Sequence, residues 1–230
     1  MGFLIKLSGK KLEDFKIYLE IAVDNIIEGK ILAFPTNSVY GIGGDPLNLE
    51  LIEKLYEIKY REREKGFLLL VADFEEAAKI AQFNDTAKRL ADHYWPGQLT
   101  LILKRTEPNI IPMELTANQN TIGLRVPENQ VILEILNILK KRGHFGGIIG
   151  TSANYSGEPP SISGNEVAKK FLGIGTVDFI IDGGKSKSKI ATTIVNCTSD
   201  DIKFLRIGKI TEVEIREFLS MEENKGDADE

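Results

Sequence analysis

The chain has 230 residues, 29 Lys and Arg against 34 Asp and Glu, and a net charge of -5 with its 2 His neutral. Its 42% hydrophobic and 27% charged content is that of an ordinary globular protein, which excludes wholesale disorder, collagen and low-complexity classes. The length allows one large domain without a second full-size catalytic module, and the acidic balance disfavours binding nucleic acid by net charge alone.

Leu12, Phe15, Leu19, Ala22 and Ile26 recur at helical spacing and predict a first helix, with Gly29 at its C-terminal end. Ile31 to Phe34 reads as a short buried strand that breaks at Pro35 into a loop with Thr36, Asn37, Ser38, Tyr40, Gly41, Gly43 and Gly44. Leu49 to Ile58 is expected as helix, Phe67 to Val71 as strand, and Phe74 to Tyr94 as one or two helices broken near Asn84 and Asp85. Further strands are predicted at Leu99 to Lys104, Thr121 to Val126, Gly147 to Ile149, Phe179 to Ile181, Thr192 to Asn196 and Ile202 to Leu205, with a helix over Val131 to Lys141. Capping boxes, in which a hydroxyl and a Glu three residues on satisfy orphan amides, start two late helices at Ser163 with Glu166 and Thr211 with Glu214. The pattern is mixed α/β in one domain over residues 3–219, and the acidic stretch 220–230 is expected to be a frayed tail.

The single cysteine, Cys197, leaves no internal disulfide and no Cys cluster for zinc, fits a reducing cytosol and is expected to pack. The longest apolar run, Phe67 to Ala72, is far short of the roughly 20 residues of a membrane helix. No targeting signal is visible, so a cytoplasmic protein without membrane contact is expected.

Several look-alikes fail. The third glycine of a dinucleotide-binding G-x-G-x-x-G begun at Gly41 falls on Pro46, and the leading glycine of a P-loop ending at Gly184-Lys185-Ser186 falls on Phe179. His93 and His144 have no ligand-spaced partner and no Ser sits in a G-x-S-x-G elbow, so zinc hydrolysis and acyl-enzyme chemistry lose their usual support. Lys59, Arg61, Arg63 and Lys65 fall on alternate positions, so an extended run would aim four cations from one face at a polyanion, whereas a helix end would lace them with Glu. Gly150 to Pro160 follows an apolar strand with small residues that let phosphates approach the main chain, with Ser152 and Asn154 available as hydrogen-bond donors. The competing reading of that segment is a locally capped turn. Gly183 and Gly184 with Lys185 to Lys189 read as a flexible loop able to close over the site.

Taken together, Phe34-Pro35-Thr36-Asn37-Ser38-Val39-Tyr40-Gly41-Ile42-Gly43, the Lys59-x-Arg61 pair, Trp95-Pro96-Gly97-Gln98-Leu99-Thr100-Leu101, Gly123 to Pro127 and Gly150 to Pro160 resemble, in order, the signatures of the Sua5/YciO/YrdC family. The resemblance runs from the first helix to about Arg206 and implies a twisted, open mixed α/β sheet flanked by helices around a large electropositive concave site. It implies a threonylcarbamoyl-AMP synthase, a nucleotidyltransferase that joins L-threonine, bicarbonate and ATP and releases pyrophosphate. The product serves modification of adenosine 37 of tRNA by a separate transferase complex.

By the same resemblance Lys59, Arg61, Ser152 and Asn154 form a catalytic, ATP-binding tetrad, and Lys65, Thr121 and Arg206 add ATP contacts. Thr36, Arg125 and Thr192 would bind threonine, with the Arg125 fork on its carboxylate. Positioning and electrostatics carry such a transfer without a covalent nucleophile. Mg2+ is expected with ATP, and no residue is nominated as its ligand. Departures from the family pattern are Glu62, Gln98 and Ala191 where prolines are usual, and Leu70 at a position that is histidine in some longer members. The alternative is a non-catalytic module of the same fold that binds double-stranded RNA or tRNA or assists ribosome assembly. The hydrogenase maturation proteins with a similar domain carry zinc-finger and transferase domains for which this chain has no room.

Overall fold

The computed structural model describes residues 2–7, 11–172, 176–186, 188 and 190–226. The expected mixed α/β architecture holds, with the strands divided between two sheets. The first has the order β1 (Phe3–Lys6), β10 (Phe179–Asp182), β2 (Leu32–Phe34), β3 (Gly41–Gly43), β9 (Thr151–Ser152). The second runs β12 (Lys203–Arg206), β11 (Thr193–Asn196), β6 (Leu99–Arg105), β7 (Thr121–Arg125), β4 (Leu68–Val71), β8 (Gly147–Ile149), with β5 (Ala81–Gln82) paired to β6.

Helix α1 (Lys16–Ile27) follows a short 3-10 turn over Leu12–Phe15 and buries Leu19, Ala22, Val23 and Ile26 against the first sheet. Leu19, Val23 and Ile26 each contribute about 1.5–3 kcal/mol by leaving water. Helix α5 (Gln130–Lys141) lies beside it with Ile132, Ile135, Leu136 and Leu139 in the same core, and Arg142 ties the two helices by bonding Asp24 at 2.6 Å. Asparagine caps set the starts of α2 (Leu49–Lys59), α4 (Asp85–Tyr94) and α5: Asn48 accepts from Leu51 N, Asn84 from Ala87 N, and Asn129 from Val131 and Ile132 N. A second core, with Leu55, Tyr56, Leu90, Leu101 and Leu124, fills the space around α2, α4 and the second sheet.

The segment expected as one or two helices over 74–94 resolves into α3 (Phe74–Ala78), β5 and α4. Ser163 starts α6 (Gly164–Val167), but Glu166 reaches back to Ile162 N rather than to the cap residue itself. Thr211 and Glu214 form the reciprocal pair expected of them at the start of α7. Helix α7 (Glu212–Gly226) continues into the segment expected as tail, and 227–230 lie outside the described residues, as do Lys187 and Lys189 of the expected loop. Cys197 is buried in the second core, and the His93 ring stacks on Phe218 at 4.1 Å. Among the described residues no helix is long and apolar enough to cross a membrane.

Between β8 and β9 the chain passes from one sheet to the other in a single residue. Strand β8 belongs to the second sheet and β9 to the first, and only Gly150 lies between them. A Cβ there would stand 2.4 Å from Leu70 Cγ, so the step is made where only glycine fits without moving the Leu70 side chain.

Candidate functional site

A cavity of about 380 Å3 opens between the sheets. Phe34, Gly41 and Ser152 face it from the first sheet, and Leu68, Leu70, Thr100, Arg125, Ile194 and Arg206 from the second. Among the described residues three guanidiniums, those of Arg61, Arg125 and Arg206, stand on its wall, and no carboxylate does.

Arg125 ends β7 and is 6% exposed. Its Nε donates to Gly97 O at 2.8 Å, Nη1 to Ser38 Oγ at 3.5 Å and Nη2 to Asn37 Oδ1. Burial first, and then the charge of Arg206, pushes its pKa down to about 10, with Glu128 opposing. A buried cation held by neutral partners gains from an anionic ligand, because that ligand supplies the charge its surroundings lack.

Arg206 donates from Nε to Thr192 O at 2.8 Å and from Nη2 to Thr192 Oγ1 at 2.9 Å, and burial lowers its pKa. Thr192 Oγ1 lies 3.0 Å from Thr100 Oγ1, linking the two threonines across β6 and the start of β11. Thr36 closes its own turn: its hydroxyl donates to Val39 O at 2.7 Å and accepts from Ser38 N at 3.1 Å.

The run 59–65 is not extended. Helix α2 ends in a Schellman pair, with Tyr60 N donating to Glu57 O at 3.1 Å and Arg61 N to Tyr56 O at 3.0 Å, and Tyr60 takes the left-handed conformation at φ 49°. The chain therefore turns, and the four cations separate. Arg61 alone joins the wall, held by bonds from Nε to Lys65 O and Nη2 to Gly66 O, both 2.7 Å, with its Cζ 5.0 Å from the Phe67 ring centre. Arg63 pairs with Glu53 over the Tyr56 ring, and Lys65 pairs with Glu62 at 2.7 Å in solvent. Lys59 is 2% exposed and does not line the cavity; its Nζ donates to Ser152 O at 2.5 Å and Asn154 O at 2.7 Å.

Ser152 and Asn154 do face the cavity, beside Arg61. The Asn154 amide nitrogen donates to Tyr155 O and Glu158 O, both at 2.8 Å, which fixes the carboxamide and leaves its buried Oδ1 without a partner among the described residues. The donor expected of Asn154 is thus spent on its own loop, and what remains is an acceptor.

Of the ten residues singled out from sequence, Thr36, Arg61, Arg125, Ser152, Asn154, Thr192 and Arg206 converge on one cavity. Lys59 sits behind its wall, while Lys65 and Thr121 stay away from it. Thr121 begins β7 opposite Lys104, four residues and about 13 Å of strand from Arg125. Sequence reasoning missed Ser38 and Thr100. Thr100 had a signal, as a single polar residue inside the apolar run 99–103. Gln98, where proline is usual, donates to Asn37 O at 3.0 Å and so buttresses the loop that holds Arg125.

The sequence model of Sua5/YciO/YrdC, described as telomere recombination, matches residues 24–208. The chain belongs to the Sua5/YciO/YrdC family. A threonylcarbamoyl-AMP synthase of Pyrococcus abyssi is 31% identical over 91% of this chain and 59% of its own length. The family member from Methanocaldococcus jannaschii named a putative threonylcarbamoyl-AMP synthase is 35% identical over 90% of this chain and 93% of its own. Among solved structures of the family, P. abyssi Sua5 complexed with L-threonine superposes with a TM-score of 0.83 at 30% identity, covering 95% of this chain and 60% of that one. The chain thus spans about three fifths of the P. abyssi family member.

Proposed function

We propose that this protein is a threonylcarbamoyl-AMP synthase acting on L-threonine, bicarbonate and ATP. The names of its relatives support the reading. The observation that carries it is the meeting, in one cavity, of the deep Arg125 fork with a second cationic and small-residue wall made by Arg61, Ser152 and Arg206.

In this reading the fork of Arg125 takes the threonine carboxylate, near the polar floor of Thr36 and Ser38. The threonine nitrogen forms its bond to the carbon of bicarbonate and water leaves, giving a carbamate. A carbamate oxygen then bonds to the α-phosphorus of ATP while the bond from that phosphorus to the bridging oxygen breaks, its electron pair departing on pyrophosphate. Arg61 and Arg206 hold the phosphate charge, and the small residues at 150–152 let the chain close on it. The chain's task is positioning and charge stabilisation, which needs neither a histidine nor a thiol at the wall.

Magnesium is tested by the donors present. Among the described residues the wall has no carboxylate, and no group of three or more His, Cys, Asp or Glu able to hold a metal occurs. These residues do not fit a protein-held magnesium site; in our reading the ion that accompanies ATP is bound by phosphate and water. The product would pass to a separate transferase that modifies tRNA, and the work would be done in the cytoplasm.

The test is pyrophosphate release by the purified chain. It is expected only with ATP, threonine and bicarbonate together, and is suppressed by Arg61→Ala. Release indifferent to threonine would overturn the reading.

A further inference from the structure

We propose that Lys59 is a positioning residue: it sets Ser152 and Asn154 from behind the cavity wall through their backbone carbonyls and does not itself touch the triphosphate. The inference rests on the reading of the cavity as an ATP and threonine site, and gives the lysine of that site a different task from the arginine two residues on.

The geometry is that of a staple. Lys59 is the last residue of α2, and its ammonium donates to the carbonyls of two wall residues, Ser152 at 2.5 Å and Asn154 at 2.7 Å. Its own carbonyl accepts from Ser156 N at 2.8 Å, so the lysine grips the same loop through side chain and main chain. Asn154 completes the loop by donating to Tyr155 O and Glu158 O. Both carbonyls, left free, would present partial negative charge to an anion entering between Arg61 and Ser152; taken up by an ammonium, they do not. The Schellman turn at Tyr60 explains why the two cations differ, because the chain reverses between them and sends Lys59 under the loop and Arg61 onto the wall.

The charges around the ammonium are cationic: Arg61 on the turn and Lys170 on the segment after α6, the latter paired with Glu158 at 2.8 Å. No ion pair of Lys59 occurs among the described residues, so its charge is balanced by carbonyl dipoles until a ligand arrives.

Two measurements test the role, one of them independent of catalysis. Amide hydrogen exchange should accelerate about tenfold or more at Asn154, Ser156 and Glu158 in Lys59→Met, with the melting transition still cooperative; Lys59→Gln, which keeps a donor, should fall between. Unchanged exchange over this loop in both variants would overturn the staple whatever the reaction proves to be. In the pyrophosphate assay, Lys59→Met should cost tenfold or more in kcat/KM in the wild-type background and less than about twofold in Ser152→Ala/Asn154→Ala, because removal of a positioning residue is not felt once what it positions is gone. Equal factors in the two backgrounds would mean an independent contact with substrate and would overturn the proposal. A wild-type chain that releases no threonine-dependent pyrophosphate defeats the functional reading and leaves the exchange result standing.

Discussion

Arg125 and Arg206 reach the same cavity from β7 and β12, and the charge of Arg206 adds to burial in pushing the Arg125 guanidinium down to about 10. Two cations from different strands thus share a space whose described lining offers no acid, an arrangement that a bound anion would relieve.

Arg125→Lys keeps the charge and loses the fork. One charge-assisted hydrogen bond is worth roughly 1.5–3 kcal/mol, so the KM for threonine should rise by about tenfold to a hundredfold, while that for ATP moves less than threefold. Steady-state pyrophosphate release with each substrate varied in turn reads both. Parallel rises in the two constants would remove Arg125 from the threonine carboxylate.

Lys59 titrates within reach of ordinary buffers, because burial first, then Arg61 and Lys170, push its pKa down to about 7. An anion in the cavity favours the charged ammonium and raises that value. Below pH 7 the free protein already carries the proton; above it, binding must take one up, so affinity for inorganic tripolyphosphate should fall as pH rises, by at most about tenfold per unit. Calorimetry in buffers of different ionisation enthalpy measures the uptake, which should vanish in Lys59→Met. Proton uptake that persists in that variant would assign it to another group.

Gly43 is pinned between sheets, where an added Cβ would stand 1.7 Å from Ile149 O. Gly43→Ala should lower stability by about 3 kcal/mol or more, since the clash is with the main chain of Ile149, which no side-chain rotation relieves. A urea midpoint equal to that of the wild type would show that β3 and β8 can separate without cost.

The Tyr40 hydroxyl joins Asp182 Oδ1 at 3.1 Å to Gly184 O at 2.6 Å, and burial, followed by the Asp182 charge, raises its pKa. Tyr40→Phe removes both bonds. A loss of about 1–2 kcal/mol is expected, seen as a drop of a few degrees in Tm and as faster exchange at Gly184. An unaltered Tm would mean that water replaces the hydroxyl freely.

Long elements with a strong period were legible. Helices α1, α2 and α5 and strands β4, β6 and β7 lie where their apolar spacing puts them, because burial of a continuous stripe outweighs local detail. Strands β1, β3, β5 and β9 were not seen. In β3 the sequence Gly-Ile-Gly has little strand propensity of its own, and pairing with β2 and β9 makes it a strand. At the site, residue type told what could bind an anion, and motif order told which of them meet. Direction was the missing quantity. The left-handed turn at Tyr60, a residue with no special liking for it, reverses the chain and decides that Arg61 faces the cavity while Lys59 does not.

Gly150 is the whole of the covalent path from β8 to β9, and it also lies on the cavity wall. Loops elsewhere can lengthen with little harm, but an inserted residue here would change the spacing of the two sheets and hence the width of the chamber, shifting Ser152 away from Arg125. Length variation among proteins built on this plan should accordingly collect in other connections, and a scanning insertion library should find this point intolerant even in variants that still fold.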